Sequence, residues 1–125
     1  MTGKVLLVDD SGLARRSTRR MLEQAGFEVI EAEDGLSALE RFAVDEPDVV
    51  LLDLVMKGMY GLDVLSKIRE IDPQAKVIVV SADVQNSSRQ MVQDGGAAGF
   101  INKPASAERL VQMVEQVMKG TSTWS

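Results

Sequence analysis

Five residues with charged or hydroxyl side chains stand at the ends of apolar runs. They are Asp9, Asp10, Asp53, Ser81 and Lys103. Three carboxylates held close together repel one another, and a hard divalent cation relieves that repulsion. Carboxylate, carbonyl and water oxygens suit Mg²⁺, while a lysine supplies a movable positive charge and a serine supplies a hydroxyl donor. Together these groups provide what the in-line transfer of a phosphoryl group to an aspartate requires.

Each of these residues also has an ordinary structural role open to it. Asp9 and Asp10 could form a strand-to-helix turn, and Asp53 could begin another turn. Ser81 could cap a helix, and Lys103 could be a solvated surface charge. The coincidence of all five residues at strand ends favours one common site over separate structural roles.

Apolar runs and helical spacing alternate along the chain. We predict strands over residues 4–8, 27–32, 49–53, 76–81 and 98–102, and helices over about 12–25, 35–43, 62–71, 85–93 and 107–119. This order predicts a single-domain α/β fold with a doubly wound, five-stranded parallel sheet and helices on both faces. Since the carboxyl ends of parallel strands share one edge, we expect the five residues to meet there.

The helical periodicity also predicts which side chains face the core. On the first helix these are Leu13, Ser17, Met21, Leu22 and Ala25. Leu36 is predicted inward on the second helix, and Met91 and Val92 are the predicted anchors of the polar fourth helix. A cluster of four arginines on the first helix is expected to form a solvated face. Residues 120–125, apart from Trp124, are predicted to form a loose polar tail.

Composition excludes several kinds of function. The 125 residues include no cysteine and no histidine, which removes disulfides, thiolate chemistry, histidine bases and histidine metal ligands. The net charge of −5 argues against direct binding to nucleic acid. No apolar run reaches the length of a membrane span, and the N-terminus lacks a signal-peptide cleavage region. We therefore expect a cytoplasmic protein without membrane insertion.

Four short motifs stand at the ends of the predicted strands: Val8-Asp9-Asp10, Leu52-Asp53 with Met56 and Gly61, Ser81-Ala82, and Lys103-Pro104. Together they resemble the CheY-like receiver domain of two-component response regulators. The resemblance covers the chain from Lys4 to about Lys119, so we expect a receiver domain over residues 1–119. It implies a flavodoxin-like (βα)5 fold and a phosphorylation-dependent switch. A histidine kinase or phosphotransfer protein would be its phosphodonor.

The resemblance also implies roles for the residues of the site. Asp53 would accept the phosphoryl group, and Asp10 and Asp53 would ligate Mg²⁺ directly together with the backbone carbonyl of Val55. Asp9 would act on the metal mainly through water. Ser81 and Lys103 would bind the phosphoryl oxygens, and the peptide bond before Pro104 would be cis.

Phe100 occupies the position of the rotamer-switching aromatic residue of the family, although an ordinary core phenylalanine fits the sequence equally well. In the switch interpretation, Ser81 moves toward the phosphate and Phe100 fills the space that it leaves. The face formed by the fourth helix, the fifth strand and the fifth helix would then change partners. It is expected to include Arg89, Met91, Phe100 and Asn102. The sequence does not identify the downstream partner protein. It is compatible with a monomer and with a phosphorylation-dependent dimer.

The chain departs from the family pattern after the acceptor. Lys57 stands where the family commonly has proline, and Val55 stands where a polar residue is frequent. Because a valine side chain cannot hydrogen-bond an attacking water, we predict slow self-dephosphorylation. Asp83, two residues after Ser81, has a side chain that can form such a hydrogen bond.

Two other functions compete with that of a stand-alone switch. A haloacid-dehalogenase-like phosphatase also uses an aspartate nucleophile with Mg²⁺, but it needs a second acid two residues later, where this chain has Val55. A phosphate-independent interaction module would not need the complete acidic set. With few residues after the last helix, we expect no output domain, although a receiver cut from a longer regulator would look similar.

Overall fold

The computed structural model describes residues 3–56, 59–82 and 86–124. The elements in chain order are β1 (Lys4–Val8), α1 (Gly12–Gln24), β2 (Glu28–Ala32), α2 (Gly35–Asp45), β3 (Val49–Asp53), β4 (Val55–Met56), β5 (Met59–Tyr60), α3 (Gly61–Ile71), β6 (Val77–Ser81), α4 (Asn86–Asp94), β7 (Gly99–Asn102) and α5 (Ala107–Met118). Five strands form a parallel sheet in the order β2-β1-β3-β6-β7. The predicted doubly wound fold is confirmed.

The three inner strands, β1, β3 and β6, are almost entirely apolar because both faces of the sheet are covered there. Successive residues alternate between two core clusters: in β3, Val50 and Leu52 face one cluster, and Val49 and Leu51 face the other. The first cluster includes residues of α2, α3 and α4, and the second includes residues of α1 and α5. The three strands that position the acids and the hydroxyl are thus held from both sides.

Side-chain caps begin three of the helices near the predicted positions. Ser11 Oγ accepts a hydrogen bond from Ala14 N, and Ser106 Oγ accepts one from Arg109 N. Asp34 caps α2 in a reciprocal capping box with Ser37. Ser11 lies two residues after Asp9, so this cap also determines where the chain leaves the site.

The predicted inward face of α1 is confirmed at Met21, Leu22 and Ala25, but at Leu13 and Ser17 it is wrong by one residue. Leu13 is 74 % exposed, whereas Leu22 is fully buried. The side chains that face the protein are Ala14, Thr18, Met21, Leu22 and Ala25. One residue corresponds to a rotation of about 100° on a helix, and the polar Thr18 concealed the true stripe.

The predictions that Leu36 and Met91 face the core are also wrong. Helical spacing shows which residues share a face of a helix, but not how much of that face the rest of the protein covers. Leu36 is 67 % exposed on α2, and Met91 is 49 % exposed on α4. Val92 is fully buried, as predicted. A short polar helix such as α4 needs only this narrow contact with the sheet.

The loop after Asp53 contains a short antiparallel pairing that the sequence did not predict. Val55 pairs with Tyr60, and Met56 pairs with Met59. Two residues per strand are too few to produce a recognisable alternation. Gly61 then begins α3, one residue before the predicted start.

The residues after α5 are less loose than predicted. Gly120, with a φ of +79°, turns the chain, and Thr121 N donates a hydrogen bond to Gln116 O. Thr123 and Trp124 then contact the chain between α4 and β7. Within the part of the chain that the structure describes, no helix is long and apolar enough to cross a membrane.

Candidate functional site

The site lies where the parallel strands end. Val8 of β1 is level with Leu52 of β3, so Asp9 and Asp53 follow at the same height. Ser81, the last residue of β6, is level with Asn102 of β7. Lys103 N donates a hydrogen bond to Ser81 O at 2.8 Å, which places the lysine beside the serine-bearing strand. The strand register therefore brings the predicted residues to one edge.

The three predicted acids form one cluster. Carboxylate oxygens of Asp9, Asp10 and Asp53 all lie within 4.8 Å of one another. Asp9 is buried, and its Oδ1 accepts a hydrogen bond from Ser11 N at 2.9 Å. Asp10 is exposed and Asp53 is half-buried, so the cluster opens to solvent on one side.

Lys103 is the counter-charge of the cluster. Its Nζ lies 3.2 Å from Asp9 Oδ2 and 3.3 Å from Asp53 Oδ2. The peptide bond between Lys103 and Pro104 is cis, as the resemblance implied. A single ammonium group thus bridges the ends of β1 and β3 from the end of β7.

The environment raises the pKa values of both Asp53 and Lys103. Burial, assisted by the charge of Asp9, raises the pKa of the Asp53 carboxyl above its ordinary value, although Lys103 opposes the shift. Burial would lower the pKa of Lys103, but the charges of Asp53 and Asp9 outweigh it and raise that pKa. Lys103 therefore stays protonated, and Asp53 becomes a more basic carboxylate.

Backbone packing holds the loop that follows Asp53. Val55 N lies 3.4 Å from Asp53 Oδ1, and Gly61 N donates a hydrogen bond to Leu54 O at 2.7 Å. A Cβ at Gly61 would lie 2.6 Å from the carbonyl oxygen of Asp53. The Val55 side chain is 62 % exposed at the rim of the site.

The donor set fits a hard divalent cation. It consists of carboxylate oxygens, which Mg²⁺ and Ca²⁺ prefer, and it offers neither sulfur nor imidazole. Three carboxylates against one ammonium also leave an excess of negative charge for a cation to neutralise. The site can therefore hold a metal beside the carboxylate of Asp53.

The predicted switch residues are both buried. Ser81 is 2 % exposed and Phe100 is 7 % exposed. Phe100 packs in the core cluster with Val92 of α4. Arg89, Met91 and Asn102, predicted on the same face of the molecule, are exposed. The predictions for Lys57 and Asp83 concern residues outside the described part of the chain.

Arg15 is a neighbour of the site that the sequence reasoning missed. Its Nη1 donates a hydrogen bond to the carbonyl oxygen of Asp9 at 2.6 Å, and its Nε donates one to Glu31 Oε1 at 2.9 Å. Arg19 also pairs with Glu31. The predicted solvated face of α1 is in part an ion-pair network that ties α1 to β2. The sequence signal was the recurrence of arginine at positions 15 and 19, facing the acid that lies near the end of β2.

The fold and the site define a class of protein: a doubly wound α/β domain with an acidic, lysine-bridged pocket at the carboxyl edge of its sheet. The family model described as "Response regulator receiver domain" matches residues 5–115. The chain belongs to this family. Receiver domains are signalling switches of two-component systems rather than enzymes of the usual kind, and they interact with histidine kinases and downstream proteins.

Individual relatives agree with this membership. The chain is 36 % identical to the chemotaxis protein CheY of Bacillus subtilis, over 94 % of this chain and 99 % of that protein. It is 38 % identical to the nitrate/nitrite response regulator protein NarP of Escherichia coli, over 98 % of this chain but 58 % of NarP. A two-component response regulator of the LuxR family from Aurantimonas superposes with a TM-score of 0.93 at 28 % identity, covering 98 % of this chain and 89 % of that one.

Proposed function

We propose that the protein is a phosphorylation switch whose acceptor is Asp53 and whose phosphodonor is the phosphohistidine of a histidine kinase or phosphotransfer protein. The observation that carries the proposal is the bridging position of Lys103 Nζ, 3.2 Å from Asp9 and 3.3 Å from Asp53, within a three-carboxylate cluster. If Asp53 only began a turn, or Lys103 were only a solvated surface charge, neither would need this ion pair. Since histidine kinases use ATP, we place this function in the cytoplasm.

In the proposed reaction, a carboxylate oxygen of Asp53 attacks phosphorus while the phosphorus–nitrogen bond of the donor breaks. The raised pKa of Asp53 makes this oxygen a better nucleophile. Lys103 can follow the growing negative charge, since its ammonium already lies beside Asp53. Ser81 would donate its hydroxyl to a phosphoryl oxygen.

Asp10, Asp53 and the backbone carbonyl of Val55 would hold Mg²⁺, with Asp9 acting through water. The ion would supply neutralisation of phosphoryl charge during transfer. Asp10 suits this role because it is the exposed member of the cluster and can exchange solvent for metal.

The output of the switch would be a rearrangement of Ser81 and Phe100. Both side chains are buried on neighbouring strands, and Val79 of β6 is level with Phe100 of β7. Movement of Ser81 toward a phosphoryl group would change the packing available to Phe100 and so alter the face formed by α4, β7 and α5.

The phosphatase alternative finds no support at position 55. The exposed Val55 offers no acid to protonate a leaving group. We therefore retain the switch as the function.

The test is incubation with Mg²⁺ and acetyl phosphate, followed by intact mass spectrometry. We expect one added phosphoryl group in the wild type and in Asp63→Asn, which removes an exposed acid on α3. We expect none in Asp53→Asn. Uptake by Asp53→Asn, or continuous turnover of the donor without a phosphorylated protein, would contradict the proposal.

A further inference from the structure

The C-terminal segment, residues 121–124, lies in an ordered position beside α4. Trp124 Nε1 donates a hydrogen bond to Ala97 O at 2.9 Å, and Thr123 Oγ1 donates one to Ala98 O at 2.6 Å. The absence of a side chain at Gly99 makes this approach possible, since a Cβ there would lie 2.7 Å from Thr123 Oγ1. The segment is therefore part of the folded surface.

The ring of Trp124 contacts the charged side chain of Arg89 on α4. The guanidinium carbon of Arg89 lies 5.3 Å from the centre of the Trp124 ring, within the range of a cation–π contact. The indole is anchored on one side by its hydrogen bond to Ala97, and it packs against the core cluster. An arginine side chain placed over such an anchored ring loses less conformational freedom when it binds a further group.

Arg89 stands at the rim of a groove. The groove has a volume of about 420 Å³, lies between α4, β7 and α5, and includes the buried Phe100 and the exposed Asn102 in its lining. Arg109 of α5 lines the same groove. Among the described residues, neither arginine forms an ion pair with an acid, and the lining contains no acidic side chain.

This local charge is opposite to the charge of the whole chain. The protein has 19 acidic and 14 basic residues, yet the groove presents two arginines and no acid among its described residues. We propose that the groove binds a carboxylate-bearing segment of the partner protein, that Arg89 and Arg109 contact its acids, and that Trp124 positions Arg89. The inference rests on the proposed function, because it names the class of partner that this face takes.

The test uses the single tryptophan as a reporter. The indole N–H of Trp124 gives one NMR signal, which is followed in the unphosphorylated protein during titration with the peptide (Ser-Glu-Leu-Glu)₃ or its glutamine counterpart (Ser-Gln-Leu-Gln)₃. We expect the glutamate peptide alone to move the signal, with an affinity that falls as salt is added.

Variants separate the roles of the residues. Arg89→Gln and Arg109→Gln should each weaken peptide binding by about three- to fivefold, the effect of one exposed ion pair. Arg20→Gln removes an equal charge from α1 and should leave binding unchanged. Trp124→Ala, followed through backbone amide signals of β7, should weaken binding in the wild type but add little to Arg89→Gln. Trp124→Phe, which keeps a ring beside Arg89, should restore most of the affinity.

Three results would overturn the inference: equal binding of both peptides, equal loss in Arg20→Gln and Arg89→Gln, or additive effects of Trp124→Ala and Arg89→Gln. The mass measurement of phosphoryl uptake on Asp53 is independent of this titration. A protein that takes up a phosphoryl group on Asp53 but fails the peptide titration would contradict the groove inference alone. A protein that takes up no phosphoryl group would contradict the proposed switch.

Discussion

At the scale of single residues, the site depends on one positive charge placed between two carboxylates. Lys103 offsets the mutual repulsion of Asp9 and Asp53 and lowers the pKa that burial would otherwise give Asp53. The pKa of the half-buried Asp53 is therefore raised less than burial alone would raise it. Acceptor chemistry needs this balance, because only an ionised carboxylate attacks phosphorus.

Replacing Lys103 tests this balance directly. In Lys103→Met we expect the pKa of Asp53 to rise further, because the nearest cation is gone. The measurement is ¹³C NMR titration of the Asp53 carboxyl in metal-free buffer. Lys119→Met, at the far end of α5, serves as the control and should leave the titration unchanged. A lower pKa in Lys103→Met would contradict the argument.

Val55 allows a second test at this scale. Its exposed, apolar side chain cannot orient a water toward a phosphoryl group on Asp53. We predict that Val55→Asn speeds loss of the phosphoryl group on the order of tenfold, which a hydrogen bond of about 1.4 kcal/mol would give. The decay is followed by intact mass in Mg²⁺ buffer, with Val55→Ile as the apolar control. Equal decay in the wild type and Val55→Asn would refute the prediction.

At the scale of elements, the site is positioned by close contacts between a loop, a helix and a strand. The first residue of α3, Gly61, lies against the backbone of Asp53 and Leu54. On the other side, Arg15 and Arg19 of α1 bind Glu31 near the end of β2, and Arg15 also binds the carbonyl of Asp9. These contacts determine where the acids point.

Gly61→Ala should disturb the acceptor loop. The new Cβ would lie 2.6 to 2.7 Å from backbone atoms of Asp53 and Leu54, which cannot move as a flexible side chain could. We expect a loss of about 1 to 3 kcal/mol in the free energy of unfolding and slower phosphoryl uptake. Urea denaturation and intact mass measure the two effects. Gly12→Ala, whose Cβ would have no neighbour nearer than 3.7 Å, is the matched control.

The network of Glu31 predicts a pH dependence of stability. The hydrogen bond from Arg19, opposed by burial and assisted by Arg15, lowers the pKa of Glu31 below its ordinary value of 4.5. A carboxyl with a lowered pKa stabilises the folded state above its unfolded pKa, and that contribution is lost as the pH falls through the folded value. The network should therefore act at neutral pH and disappear in acid.

Glu31→Gln should accordingly lose about 1 kcal/mol of unfolding free energy at neutral pH. The difference from the wild type should shrink as the pH falls below 4.5. Urea denaturation at several pH values measures this, with Glu40→Gln on the exposed face of α2 as the control. A difference that stays constant or grows in acid would show that the network is not the cause.

At the scale of the whole molecule, binding of a metal to the acidic cluster would be coupled to folding. The three acids come from the ends of β1 and β3, so they form one cluster only when the sheet is folded. A ligand that binds only the folded state stabilises it by mass action. A cation bound there would also relieve the mutual repulsion of the three carboxylates.

We therefore expect Mg²⁺ to raise the melting temperature. At a hundredfold excess over its Kd, the added stability is about 2.7 kcal/mol. Thermal melts at increasing Mg²⁺ measure the effect, with KCl at equal ionic strength as the control. Asp10→Asn should remove most of the Mg²⁺ response. An equal response in KCl, or an undiminished one in Asp10→Asn, would contradict coupling through this cluster.

The sequence by itself determined the order of the five helices and of the five strands of the parallel sheet, and the residues that meet at the sheet edge. Continuous apolar runs specify strands buried on both faces, and parallel strands place their ends at one edge. Asp9, Asp53, Ser81 and Lys103 could be assigned to that edge because position in a strand is a local property.

Only the tertiary structure decided the remaining features. The exposure of Leu13 and Leu36 depends on how each helix is rotated about its axis against the sheet. The pairing of Glu31 with Arg15 and Arg19 depends on which elements become neighbours.

The contact of Trp124 with Ala97 and Arg89 joins parts of the chain that are distant in sequence. Periodicity carries no information about such partners, because they are determined by packing across the whole fold.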